Sequence, residues 1–175
     1  HKFYNLPGGA AGGASDSKMP DMQAGWEQMC SNVMAGLSGL NMVYEAAGMH
    51  ASLLGFCLES LILSDDIIGQ ALRCVRGIEV TDETLALDQI AQVCMGGPGH
   101  YLGEDQTLKR MQSDYVYPTL GDRTSPKEWV ELGKPDLLEK ATKRKEEILS
   151  ERSAAIFDYQ LDASLRKKYK IHLPI

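Results

Sequence analysis

The sequence of 175 residues has no long hydrophobic run. The apolar stretch from Val33 to Tyr44 is stopped by Glu45, and the one from Ala46 to Leu58 by Glu59. Each falls short of the roughly 18 to 20 residues needed to span a bilayer, so no membrane partner is expected. Basic charge is also scarce: 18 Lys plus Arg against 24 Asp plus Glu leave a net charge of −6. A nucleic-acid surface needs a basic footprint to release counterions, and no nucleic-acid role is expected. No charged n-region precedes an apolar h-region at the start, so no secretory signal is visible. His1 stands where Met would begin a chain, which gives the expectation that the true N-terminus is missing. The few cysteines, Cys30, Cys57, Cys74 and Cys94, are far apart and in apolar surroundings, unlike zinc sites or disulfide scaffolds. They read as reduced core thiols of a cytosolic protein. With 43% hydrophobic and 24% charged residues, the composition is that of one globular domain.

Glycine is concentrated instead of scarce. Leu6 to Ser15 holds four glycines among small residues, which fits a strand closely approached by a ligand or another backbone, or a flexible linker. Ser17 reads as an N-cap, with Pro20 and Asp21 in the first turn of a helix. Met22, Trp26, Met29, Val33 and Leu37 would form its buried stripe, while Ala24, Gly25, Ala35 and Gly36 would permit tight packing against a sheet. Leu40 to Ala46 is short and apolar without alternation, as in a parallel strand covered on both faces. Met49 to Leu63 is expected to be helical. Ser64, Asp65 and Asp66 look like the start of a further helix, with Ile67, Ile68, Ala71, Leu72 and Val75 as its stripe and Gly77 as its C-terminal cap.

Thr81, Asp82 and Glu83 begin another helix, with an apolar side of Ala86, Leu87, Ile90, Val93 and Cys94. A second glycine segment, Met95 to Gly103, follows. Leu108, Met111 and Tyr115 predict a short helix ended near Pro118. Ser125, Pro126 and Glu128 form a capping box with proline at the first helical position, and that helix, anchored by Trp129 and Leu132, stops at Gly133. From Pro135 to about Arg152 charge dominates, with Glu139 and Lys143 four apart, which predicts a solvated outer helix. Leu161, Leu165 and Tyr169 place a last amphipathic helix.

Strands alternating with helices indicate a parallel α/β architecture. The expected parallel strands are Leu6 to Gly12, Leu40 to Ala46 and a short piece near Gly99 to Leu102. A closed (β/α)₈ barrel needs typically ~250 residues, so either the sheet is open or the chain is part of a larger barrel.

Three blocks narrow this choice: GGASDSKMPDMQAGWE (Gly12 to Glu27), RGIEVTDETLALDQI (Arg76 to Ile90) and GGPGHYLGEDQTLKRM (Gly96 to Met111). With Pro118, Asp122, Arg123 and Trp129 after them, they resemble the C-terminal part of the trimethylamine methyltransferase family, in the right order across nearly the whole chain. The resemblance implies a cytoplasmic TIM-barrel enzyme that moves a methyl group from a methylated amine to the cobalt of a separate corrinoid protein. Residues 1–117 would be the last βα units of the barrel and residues 118–175 a C-terminal helical extension. The N-terminal remainder of the barrel becomes a required partner, and a homo-oligomer is compatible. One branch of the family carries pyrrolysine and uses trimethylamine. All letters here are standard, and the corresponding position falls in Gly12 to Ser15. The resemblance therefore favours the branch without pyrrolysine, which uses quaternary amines such as glycine betaine.

Barrel active sites lie at the carboxyl ends of the strands, and the expected strands put Asp16 with Lys18, Tyr44 with Glu45, and His100 with Tyr101 there. A quaternary ammonium needs no proton removed. The tasks are to hold the cation, align one methyl group and exclude water, for which carboxylates and aromatic faces are suited. Glu45 and His100 are the candidate catalytic residues, and Asp16, Lys18, Tyr44 and Tyr101 the candidate substrate-binding residues. Each has a structural alternative: a rim salt bridge for Glu45, a turn or capping role for Asp16, a hydrogen-bonded turn role for His100, solvation for Lys18, core packing for both tyrosines. His50 reads as a packing residue. Walker spacing and GxGxxG are absent, which excludes a nucleotide loop, and no metal site is expected. The corrinoid-binding pattern Asp-x-His-x-x-Gly is also absent, so cobalamin should arrive on the partner and not be bound by this chain. The alternative function is a noncatalytic fragment or small-molecule binding module keeping part of the barrel fold.

Overall fold

The computed structural model describes residues 1–151 and 158–171. In chain order its elements are β1 (Gly9–Ala11), α1 (Met22–Leu37), β2 (Met42–Tyr44), β3 (Met49–His50), β4 (Gly55–Phe56), α2 (Leu58–Arg76), α3 (Asp82–Leu85), α4 (Leu87–Cys94), α5 (Asp105–Ser113), α6 (Pro126–Glu131), α7 (Leu137–Ser150) and α8 (Tyr159–Lys168). The result is a helix-rich mixed α/β chain with two small sheets. Two compact units divide it, His1–Lys145 and Glu146–Ile175. In the second, Asp158 caps α8 by accepting from the Leu161 N–H, and Arg166 pairs with Asp162 at 2.7 Å.

The first unit is organised by β1, α1 and β2. β1 and β2 pair in parallel, Gly9 with Met42 through Ala11 with Tyr44, as the two apolar and glycine-rich runs predicted, and α1 is the crossover between them. The close-approach reading of the first glycine segment also holds. At Gly13, φ is +76° and an added Cβ would lie 2.1 Å from the Ala46 carbonyl oxygen, so only glycine fits where the two chain segments meet.

α1 starts later than expected. Asp21, not Ser17, is its N-cap, accepting from the Ala24 N–H at 2.9 Å. Ser17 is instead buried in the preceding loop, and Pro20 and Asp21 precede the first turn. The buried face is also different. Ala24, Gln28, Asn32 and Ala35 turn inward, whereas Met22 is 81% and Trp26 58% exposed. Small side chains permit close approach, and the two amides serve polar groups below them: Asn32 Nδ2 donates to the Ala46 carbonyl and the Gln28 amide meets Ser64 Oγ at 3.1 Å. The close partner of Gly36 is a helix, since an added Cβ would stand 2.4 Å from Val75 of α2.

The expected helix from Met49 is a hairpin first. β3 and β4 pair antiparallel, Met49 with Phe56 and His50 with Gly55, and α2 then runs unbroken through Ser64, Asp65 and Asp66. Ser64 is fully buried and caps nothing. Its hydroxyl reaches the Ser60 carbonyl at 2.6 Å and accepts the Gly48 N–H at 3.2 Å. Asp66 is not an N-terminal acid. Its carboxylate accepts three successive backbone N–H groups, from Thr119, Leu120 and Gly121, and ties that later loop to α2. Gly77 ends α2 as expected.

The helix from Thr81 is broken at Ala86, whose φ of 53° separates α3 from α4. The strand expected near Gly99 to Leu102 is a turn, closed by Gly99 N–H to Val93 and Glu104 N–H to Tyr101. Among the described residues no strand pairs with it, so its glycines serve the link between two helices. α6 has the expected capping box of Ser125 and Glu128. α7 is not solvated all round: Ala141 is fully buried and Lys145 pairs with Glu59 at 2.6 Å. Glu139 caps with Asp136 instead of meeting Lys143. Arg152, the far end of that expected segment, lies outside the described residues.

Among the described residues the buried apolar set is small, namely Ala24, Ala35, Ala71, Val93, Leu120 and Ala141. Cys30, Cys74 and Cys94 are exposed and Cys57 is half-buried, so the expectation of core thiols is not met. Among the described residues no helix is long and apolar enough to cross a membrane.

Candidate active site

The carboxyl end of the β1–β2 pair is built by two loops and pinned by α1. In the loop after β1, the Ser15 hydroxyl donates to Glu27 Oε2 at 2.6 Å and the Asp16 N–H to the same oxygen at 2.9 Å. Gln23 Nε2 donates to Oε1 at 2.9 Å. The Ser15 hydroxyl, the Gln23 amide and the Asp16 N–H together hold the Glu27 carboxyl below its usual range, because each favours the ionised form. Gly13 N–H donates to Ser31 Oγ at 2.8 Å. The loop is thus fixed from the helix side by residues of α1.

The second loop runs beside the first. Gly12 N–H donates to Tyr44 O, Ser15 N–H to Met49 O and Ala51 N–H to Ser17 O. Where the regular ladder stops, Glu45 adopts φ of 63°, the left-handed conformation that lets a strand bulge and turn. Glu45 is exposed just beyond β2, so the cost of burying a carboxylate in a strand does not arise. Among the described residues it has no ion-pair partner. Tyr44, the last residue of β2, is 47% exposed.

Asp16 and Lys18 lie in the first loop, both exposed. The Lys18 ammonium donates to the Asp16 carbonyl at 2.8 Å, and Asp16 Oδ1 accepts the Ser52 hydroxyl at 2.6 Å. Asp16 therefore caps no helix. His100 and Tyr101 are elsewhere in the chain's architecture, on the exposed α4–α5 connection. The Tyr101 hydroxyl lies 3.4 Å from Cys94 Sγ, which raises its pKa above the ordinary phenol value. Among the described residues no hydrogen bond or ion pair links that connection to the β1–β2 end. Asp16 and Lys18 lie in the loop after β1 and Tyr44 and Glu45 at the end of β2, whereas His100 and Tyr101 are on a separate loop.

Two residues at this end, Glu27 and Ser52, escaped the sequence reading, and so did the partner of a third, His50. Glu27 is the last letter of the GGASDSKMPDMQAGWE block, and a carboxylate twelve residues after a serine was its only signal. Ser52 gave no signal, because its contact depends on the hairpin turn. His50 is buried, as a packing residue should be, but it also has a partner: Nε2 lies 2.6 Å from Ser60 Oγ. Among the described residues no group of three His, Cys, Asp or Glu side chains is arranged to hold a metal ion.

An acidic and aromatic rim on a parallel strand pair, reached through a glycine-rich loop, is the setting in which the known relatives become informative. Residues 1–171 match the family described as trimethylamine methyltransferase (MTTB). The chain belongs to the trimethylamine methyltransferase family. It is 32% identical over 165 residues to the glycine betaine methyltransferase of Desulfitobacterium hafniense (strain Y51), covering 94% of this chain and 34% of that protein. It is 35% identical over 158 residues to the trimethylamine methyltransferase MttB of Methanosarcina barkeri (strain Fusaro / DSM 804), covering 90% and 31%. With MttB2 of Methanosarcina mazei it shares 38% identity over 149 residues, covering 85% and 29%. The chain thus spans about a third of the length of these curated relatives.

Proposed function

We propose that the chain supplies the last βα units of a cytoplasmic TIM-barrel methyltransferase, which moves a methyl group from a quaternary amine such as a betaine to Co(I) of a separate corrinoid protein. Family membership supports the transferase class. The observation that supports the site reading is that the loop carrying Asp16 follows β1 and that Tyr44 and Glu45 end its parallel partner β2, at the end where barrel enzymes do chemistry.

The chemistry asks little proton transfer of the protein. The N–CH₃ bond breaks, its electron pair stays on nitrogen and a neutral tertiary amine leaves, while Co(I) provides the pair for the new Co–C bond. The chain's own work is to hold and orient the cation. Asp16 and Glu45 supply counter-charge, which counts for more as water is excluded, and Tyr44 offers a ring face to the ammonium group. Lys18 pairs a substrate carboxylate.

A binding module without catalysis remains the second reading, favoured by the separation of His100 and Tyr101 from the β1–β2 end. One assay separates the two. Full-length protein mixed with glycine betaine should convert Co(I) to methyl-cobalt only when a corrinoid carrier or free cob(I)alamin is added. Failure with every methylated amine, under conditions where the protein is folded, would favour the binding module. Tight cobalamin co-purifying with this chain alone would contradict the partner.

A further inference from the structure

Ala51, Ser52 and Leu53 have φ of 50°, 55° and 72°. Left-handed L-residues occur singly, mostly as Asn, Asp or Gly. Three in succession without glycine persist only where surrounding contacts over-determine them, a condition that clusters at functional sites. Those contacts are present. Ala51 N–H donates to Ser17 O at 2.9 Å, Ser52 N–H to Ser15 O at 3.2 Å and Leu54 N–H to Ala51 O at 3.1 Å. The turn therefore folds the tip of the β3–β4 hairpin against the loop after β1.

Its consequence is a single side-chain contact, the Ser52 hydroxyl on Asp16 Oδ1 at 2.6 Å. A hydroxyl fixes the carboxylate without cancelling its charge. The cation nearest in sequence, Lys18, is bonded to the Asp16 backbone carbonyl at 2.8 Å, and among the described residues no salt bridge reaches the carboxylate. Asp16 is thus tethered by one hydroxyl, exposed, and without an ion-pair partner among the described residues.

We propose that Ser52 is a positioning residue, whose hydroxyl, delivered by the left-handed turn, orients the Asp16 carboxylate toward the ammonium group of the substrate. This rests on the site reading above, and the test separates the two. Tetramethylammonium binding to the full-length protein is measured by calorimetry, which needs no turnover, for wild type and for Asp16→Asn, Ser52→Ala, Ser52→Gly and Ser52→Asn. Ser52→Ala and Ser52→Gly should each weaken binding by about fivefold, the effect of one net hydrogen bond. Glycine also relieves the left-handed strain, so Ser52→Gly keeps its melting temperature. Asn keeps a donor and tolerates that conformation, so Ser52→Asn should stay within about twofold of wild type. If Asp16→Asn weakens binding and the Ser52 variants do not, the role of Ser52 is overturned and the site stands. If Asp16→Asn has no effect, or wild type binds no tetramethylammonium, the site reading is overturned and this inference with it.

Discussion

Glu27 of α1 accepts the Ser15 hydroxyl at 2.6 Å, and that contact explains why the two residues stand where they do in the glycine-rich block. The same oxygen takes the Asp16 N–H, so one carboxylate on the inner side of a crossover helix sets the path of the chain just before a candidate substrate-binding aspartate. Carboxylates that accept several protein donors are strongly held. The loop is therefore tied to α1 by side-chain hydrogen bonds although many of its own side chains are small.

Gly13→Ala should be severely destabilising. The new methyl group would meet the Ala46 carbonyl at 2.1 Å, at a φ of +76° that alanine adopts poorly. A backbone acceptor cannot move aside as a flexible side chain can. The expected loss is about 3 kcal/mol or more, read as a lower denaturant midpoint of the full-length protein.

Asp66→Ala should release the loop 119–121 from α2. Burial pushes the Asp66 carboxyl up, but the Thr119, Gly121 and Leu120 N–H groups together outweigh it and hold the group below its usual range. Removing the carboxylate strands three donors at 2.7, 2.9 and 2.9 Å. About 2 kcal/mol should be lost, and amide exchange at residues 119–121 should accelerate more than at the β1–β2 pair.

Glu59 gives a pH dependence. The Lys145 ammonium at 2.6 Å is the main cause holding its carboxyl down, with its own backbone N–H and the Cys57 thiol contributing, and the pKa falls from 4.5 to about 2. A depressed folded-state pKa adds stability that is fully present above the unfolded value and is lost as pH falls through the folded one. The difference in melting temperature between wild type and Glu59→Gln should therefore be constant above pH 4.5 and shrink toward zero as pH approaches 2. A difference that stays constant across that window would show that the ion pair contributes no pH-dependent stability.

Much of the local structure was legible because it depends on local chemistry. The capping box of Ser125 and Glu128, the stop at Gly77 and the parallel pairing of the two short runs all follow from residue type and spacing. The misread features depend on distant partners. The Met22 and Trp26 stripe marked the apolar side of α1, yet the inward face is set by what lies opposite it: the Ala46 carbonyl requires Asn32 and the buried Ser64 requires Gln28. Ser64 looked like a cap because serine favours helix starts, but mid-helix it bonds back to Ser60. At the candidate site, the positions of Asp16, Lys18 and Glu45 after strands and of Tyr44 at a strand end were legible in the sequence. His100 and Tyr101 were grouped with them only through a third strand, and that segment is a helix-to-helix turn. Ser52 could not be read at all, since three left-handed residues without glycine have no composition signature.

Glu45 offers the most direct measurement. It lies exposed just past β2, with φ of 63° and no ion-pair partner among the described residues, so replacing it with Gln removes charge without breaking a salt bridge. The rate at which the full-length enzyme methylates Co(I) from glycine betaine should fall at least roughly tenfold in Glu45→Gln, equal to about 1.4 kcal/mol of transition-state stabilisation, with the melting temperature unchanged. A folded Glu45→Gln enzyme that works at the wild-type rate would contradict an ammonium-binding carboxylate at this end of the strand pair.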